Sequence, residues 1–353
     1  MPAMNGLDAS FRKGRLIGCC MAVALLVVAL FASSASAAKV PLTPTNYTAL
    51  GDSLAFGYTA EKFNNNYPAE PPTAFEGGYT NLLAKKLARL EKQAGNALSL
   101  INLGCPGEVS DGMIGENPAI GGGQKANGKS DSEPCAYNNT FKLHFEFGPI
   151  SQLEAAIGIV SAPGTYGATK VVTVNIGSND ELAVVHACET PAYLEAHGFA
   201  GGVFECITVE AGESGTYYEK GLFHHVIANV GDTIGVLRAY GYKGPVAVLG
   251  YYNPQAFILP GSDSLQKQLN ETFEGVIASE AFGPGVVYAN PFPKINPQNS
   301  KKEKAAIAKY TEECNPAVQS NQGGGDPGCE GDIHPTPAGY KVLANLLYHA
   351  LGH

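Results

Sequence analysis

The sequence predicts an α/β protein, a single-domain three-layer sandwich with a five-stranded parallel sheet between two layers of helices. Three observations predict it. Short β-prone runs alternate with segments whose apolar residues recur every three to four positions, the mark of βαβ units. The 353 residues are 44% hydrophobic and only 16% charged, enough apolar material for a substantial core and too little charge for disorder. The 43 glycines and 23 prolines exceed what a helical protein carries, so long irregular loops are expected as well. The length allows about two domains, but no repeat and no linker divides the chain, and one domain is expected.

The N-terminus reads as an address. Arg12, Lys13 and Arg15 precede an apolar run from Leu16 to Ala32, which gives way to the small residues Ser33 to Ala38. That order is a secretory signal peptide with an A-x-A cleavage site at Ala35 to Ala37. Residues 1–37 are therefore expected to be a signal peptide and residues 38–353 the folded domain of a secreted protein. The alternative is an uncleaved membrane anchor, since the run is at the short edge of what spans a bilayer. Leu16-Ile17-Gly18-Cys19 imitates a lipid-attachment signal, but it precedes the apolar run instead of following it. No later apolar stretch is long enough to span.

Strands are expected at Tyr47 to Leu50, Leu98 to Leu103, Lys170 to Ile176, Pro245 to Gly250 and Val286 to Tyr288. Helical spacing joins Tyr79, Leu83, Leu87 and Leu90; then Leu153, Ile157 and Val160; then Val226, Val230, Ile234 and Leu237. Parallel sheets place their chemistry just beyond the carboxyl ends of the strands. Residues 104–148, 181–214 and 313–333 are polar and Gly-rich, break the alternation, and are read as long loops over that end. Each contains a cysteine couple: Cys105 with Cys135, Cys188 with Cys206, Cys314 with Cys329. An even number of cysteines in an exported chain implies disulfides, and these couples would staple the loops. Zinc is the rival use, but there is no C-x-x-C and no cysteine-histidine cluster at ligand spacing, so no metal is expected.

The formal net charge of −9 and the pI near 5.4 argue against nucleic acid, because no basic stripe is present to displace counterions from phosphates. Gly123 to Ser130 spells the P-loop expression G-x-x-x-x-G-K-S, yet it lacks the preceding strand and following helix that cradle phosphate, so no nucleotide is expected. His224 and His225 are adjacent, point about 100° apart on a helix, and are read as helix-surface residues. Asn46, Asn138 and Asn270 open glycosylation sequons. Tyr251 to Pro254 and Asn290 to Pro293 follow the last two strands and either line an acyl pocket or pack under the loops.

Four polar signatures stand after strands or before the last helix: Gly51-Asp52-Ser53-Leu54, Asn102 to Glu108, Asn175 to Asp180, and Asp332-Ile333-His334-Pro335. A serine at a strand end, followed by a helical turn, is presented at the mouth of the sheet with backbone N–H groups aimed at it. With these blocks in this order, essentially the whole chain beyond the signal resembles the GDSL esterase and lipase family, also called SGNH hydrolases. The resemblance implies a flavodoxin-like fold and an esterase or lipase activity. It implies that Ser53 is the nucleophile, that Gly107 and Asn179 join the Ser53 N–H in an oxyanion hole, and that His334 is the general base.

The family's last block is D-x-x-H, whereas here Gly331 stands three before His334 and Asp332 only two before it. Some acceptor must fix the imidazole tautomer so that Nε2 faces the serine. Asp332 is one candidate. The Gly331 carbonyl is favoured, on the expectation that a helix begins at about Pro335 and that its entering turn brings residue 331 under the ring. The chain is thus expected to be a monomeric, cofactor-free serine hydrolase acting on small-molecule or lipid esters. A carbohydrate acetyl esterase using the same residues is the alternative, and a non-catalytic binding protein of this fold the rival from another class.

Overall fold

A sheet whose central strands are buried on both faces builds the molecule. The structure, a computed structural model, describes residues 41–353 apart from 67–68, 70, 117–134, 136–141, 219, 257–258, 260, 299 and 315–330. Strands β1 (Thr43–Gly51), β2 (Asn96–Asn102), β3 (Ala168–Asn175), β4 (Val246–Leu249) and β5 (Val286–Ala289) form one sheet in the order β2-β1-β3-β4-β5. Every neighbouring pair is parallel. This is the flavodoxin-like order, whose switch point lies between β1 and β3. Leu42–His353 forms one unit, and no helix among the described residues is long and apolar enough to cross a membrane.

The period of two sends neighbouring side chains to opposite faces. Leu50, Val172, Val174, Val246 and Val248 meet Leu153, Ile159, Val226, Val230, Ile234 and Phe273 on one face. These come from helices Gln152–Ser161, Leu222–Ala239 and Ser262–Ala278. Tyr47, Ala49, Val171, Ala247 and Leu249 meet Tyr79, Leu83, Leu87, Tyr340, Leu343 and Leu347 on the other, from helices Tyr79–Gln93 and Pro337–Ala350. Two cores back to back on one sheet make the three-layer sandwich that the alternation of β and α segments predicts.

Two expectations are corrected. Residues 181–214 are not an irregular loop: helices Ser178–Cys188, Pro191–His197 and Val203–Ala211 fill most of them. They are short, and the last two are separated by glycines, Gly198 ending one in the left-handed conformation and Gly202 preceding the next, so no long apolar period accumulates. The last helix begins at Pro337, not Pro335, because the Thr336 hydroxyl caps it by accepting from Gly339 N–H at 3.1 Å. Asp332–Pro335 is instead strand β7, antiparallel to a two-residue strand β6, Thr311–Glu312.

Cys105 is bonded to Cys135 and Cys188 to Cys206, as the spacing implies. Cys314 is also disulfide-bonded; its expected partner Cys329 lies outside the described residues, as do the P-loop-like stretch, Asn138 and the expected signal peptide.

Candidate active site

β1 ends at Gly51, whose φ of +149° and contact with the Asn175 carbonyl leave no room for a Cβ. Asp52 then leaves the sheet, its N–H donating to the Asn175 carbonyl at 3.1 Å. Its side chain caps the next turn by accepting from Leu54 N–H at 2.9 Å. Ser53 opens that four-residue helix, Ser53–Phe56, half-buried at the strand end between buried neighbours.

The last strand supplies the partners. His334 Nε2 lies 2.7 Å from Ser53 Oγ, and His334 Nδ1 contacts Asp332 Oδ1. Asp332 is therefore the acceptor at the imidazole, and the preference for the Gly331 carbonyl is corrected. The reason is local geometry: on a strand, residues two apart share a face, so D-x-H on β7 does what D-x-x-H does on a turn. The Gly331 N–H is held by the Glu313 carbonyl at 2.6 Å. Asp332 Oδ2 accepts from Ala60 N–H at 2.6 Å, and Tyr252 fixes β7 by donating to the Ile333 carbonyl at 2.9 Å. The Tyr58 ring covers the imidazole at a centroid distance of 4.8 Å.

Burial pushes the Asp332 carboxyl up, but the charge of His334 with hydrogen bonds from that residue and from Ala60 N–H outweighs it, and the net direction is down. Asp332 is ionised at neutral pH and suited to hold an imidazolium. Asp52 is the opposite case. Complete burial lifts it to about 7, and its Oδ2 has no hydrogen-bond partner among the described residues.

The loops after β2 and β3 close the site from the other side. Cys105 N–H donates to the Gly51 carbonyl at 2.9 Å, and Gly104 packs on the backbone of Ala55 and Phe56, so the loop lies against the Ser53 turn. Gly107 follows with φ +76°. Gly177, with φ +114°, turns the chain after β3 where a Cβ would strike Val226 and the Tyr251 hydroxyl. Helix Ser178–Cys188 then begins, and Asn179 donates one amide hydrogen to the Glu108 carbonyl at 2.8 Å. Ser53, Gly107, Asn179 and His334 are all half-buried. Cys105, Glu108 and Cys135 also converge, but their sulfurs are joined to each other, which leaves no thiolate for an ion.

A model of the GDSL-like lipase/acylhydrolase family matches residues 49–342. The chain belongs to that family. It is an ester-bond hydrolase, and Ser53, Asn179 and His334 fall within the matched span. Solved structures similar to this GDSL hydrolase include a lipase, Lip_vut3, from a goat rumen metagenome, 16% identical with a TM-score of 0.45 over 87% of this chain and 97% of that one. A lipolytic G-D-S-L protein from Veillonella parvula is 12% identical, TM-score 0.40, over 86% and 97%. A variant of an acetyl-xylooligosaccharide esterase from Geobacillus stearmophilus is 10% identical, TM-score 0.41, over 89% and 97%. No curated protein matches the sequence.

Around the site of this GDSL hydrolase, other residues do different work from that expected. Tyr251 and Tyr252 are buried and hydrogen-bond the Ile176 and Ile333 carbonyls, so they brace strand ends. Asn46 and Asn270 are buried in hydrogen bonds to Gly167 and Tyr251 backbone atoms, which closes those sequons to glycosylation. His225 is not a helix-surface residue: its Nε2 is 2.7 Å from Asp111 Oδ1 and its side chain is 17% exposed. Gln152 escaped the sequence reading; its amide bonds both the N–H and the carbonyl of Gly51, at 2.8 and 2.9 Å, and reaches Glu108 at 3.3 Å. Only its place in an apolar helix marked it out.

Proposed function

We propose that the chain is a serine esterase working through an acyl-enzyme. The observation that carries this reading is the chain of contacts from Asp332 through His334 Nδ1 and Nε2 to Ser53 Oγ, 2.7 Å at its last step. Asp332 holds the imidazole with its proton on Nδ1, leaving Nε2 to take the hydroxyl proton as Oγ attacks the ester carbonyl. The backbone N–H groups of Ser53 and Gly107 and the second amide hydrogen of Asn179 receive the oxyanion. The proton on Nε2 passes to the departing alcohol. Water then enters, loses a proton to Nε2, attacks the acyl carbon and releases the acid and Ser53. No step calls on a metal or cofactor.

The same proposal includes export. Residues 1–37 are a signal peptide by their order of charge, apolar run and small-residue exit, and the disulfides fit an oxidising compartment. The protein in the medium should begin at Ala38.

Ser53→Ala tests the reading. Assayed on a chain-length series of aryl esters and on acetylated sugars, the variant should fold as the wild type does and lose at least about 10⁴-fold in kcat, the order of loss when a triad member is removed. Turnover within about tenfold of wild type on whichever ester the wild type cleaves would remove Ser53 from the mechanism.

A further inference from the structure

Behind the oxyanion-hole loops lies a buried polar network that the reaction itself does not use. Asp180, adjacent to Asn179, is fully buried, and its two carboxylate oxygens accept from Ser110 N–H at 2.9 Å and Ser110 Oγ at 2.7 Å. Ser110 opens helix Ser110–Ile114, three residues beyond Gly107. With the Asn179 bond to the Glu108 carbonyl, this makes two clamps between the loop carrying Gly107 and the helix carrying Asn179. Asn229 donates to Ser110 Oγ at 2.9 Å and to Asp111 Oδ1 at 2.8 Å. Asp111, also buried, meets His225 Nε2 at 2.7 Å.

We propose that His225, acting through Asp111, Ser110 and Asp180, is a positioning residue that holds Gly107 and Asn179 in oxyanion-hole geometry. The inference rests on the oxyanion hole proposed above. Two carboxylates next to each other inside a protein repel unless a cation faces them. Burial is the largest effect on Asp180 and disfavours its ionised form, raising the carboxyl to about 6, while its Ser110 hydrogen bonds oppose this; among the charges, Asp111 disfavours that form and His225 favours it. His225 is thus the counter-charge of a clamp that ends at Asn179.

The groups facing His225 come from several elements. Asp111 lies on helix Ser110–Ile114, Glu116 just beyond it, and Asp180 on helix Ser178–Cys188. The Tyr218 ring stacks on the imidazole at 4.3 Å, and Asn229 is 3.3 Å away one turn along its own helix. Burial alone lowers the affinity of His225 for its proton, but the hydrogen bond and charge of Asp111, with Asp180 and Glu116, raise it overall. The imidazolium persists above the usual value of about 6.5. When pH rises through the raised value, the cluster loses its counter-charge, the clamp loosens, and kcat falls. The sign for stability agrees: a raised folded-state value stabilises the fold fully below about 6.5, and that contribution is lost as pH rises through it.

The experiment is a pH profile of kcat and KM for aryl ester hydrolysis by the wild type, His225→Gln and Asp111→Asn, with thermal unfolding of each. Glutamine keeps an N–H donor and removes the charge, so it should behave at every pH as the wild type does at high pH. The expected result is kcat down about tenfold near neutrality, KM within about twofold and the alkaline limb gone. Asp111→Asn removes what raises the imidazole and should move the alkaline limb to lower pH. A His225→Gln enzyme with wild-type kcat, or an alkaline limb unmoved in both variants, overturns the proposal. Wild-type protein without esterase activity, or an active Ser53→Ala, would instead overturn the functional reading on which it rests.

Discussion

Asp332 and His334 stand two apart on a strand, and that spacing decides how the imidazole is held. The sequence marked both residues, yet a helix expected to begin at about Pro335 suggested an entering turn with Gly331 under the ring. What hid the answer was β6, a two-residue strand that pairs with Asp332–Pro335 and has no periodicity of its own to read. Because the carboxylate and not a backbone carbonyl meets Nδ1, Asp332→Asn should lower kcat by about 10⁴ with little change in KM, the amide holding the wrong tautomer. A loss below tenfold in steady-state assays would return the role to the backbone. Asn179 carries a separate load. In the proposed mechanism its second amide hydrogen receives the oxyanion, and Asn179→Ala should cost about 10²–10³ in kcat, as loss of one such donor does in another serine hydrolase. An unchanged kcat would leave the hole to the two backbone N–H groups.

At the scale of elements, the five strands were legible because each is a short β-prone run between helical segments. The long helices were legible from their apolar period. Helices Pro191–His197 and Val203–Ala211 were not. Each has at most nine residues, too few for an apolar period to be read, and Cys188–Cys206 ties the second of them to the end of helix Ser178–Cys188. Both cysteines are fully buried. Removing that link with paired Cys188→Ser and Cys206→Ser substitutions should lower stability by about 3 kcal/mol, the loss typical of a loop of this size. Denaturant unfolding followed by circular dichroism measures it, and an unchanged midpoint would mean that packing alone secures the segment. Gln152 shows the other limit of a sequence reading. It sits in the helix that packs against β1 and ties Gly51, 101 residues before it, to Glu108, 44 residues before it, a link that only the folded chain brings together.

Over the whole molecule, the doubly wound sheet collects the chemistry at one end. Ser53 leaves β1, Gly107 follows β2 and Asn179 follows β3, so the turn at the switch point gathers three of the groups before any loop is specified. His334 arrives from outside the main sheet, on β7. The four motifs could be placed in order along the sequence, but their convergence depends on this topology. An arylphosphonate that reacts with serine nucleophiles tests the convergence most directly: the treated protein is digested and the modified peptide sequenced by mass spectrometry. The account predicts one phosphonyl group per chain, on Ser53, with activity lost in proportion and no labelling of Ser53→Ala or His334→Ala. Stoichiometric inactivation with the adduct on another residue, or full labelling of His334→Ala, would contradict it.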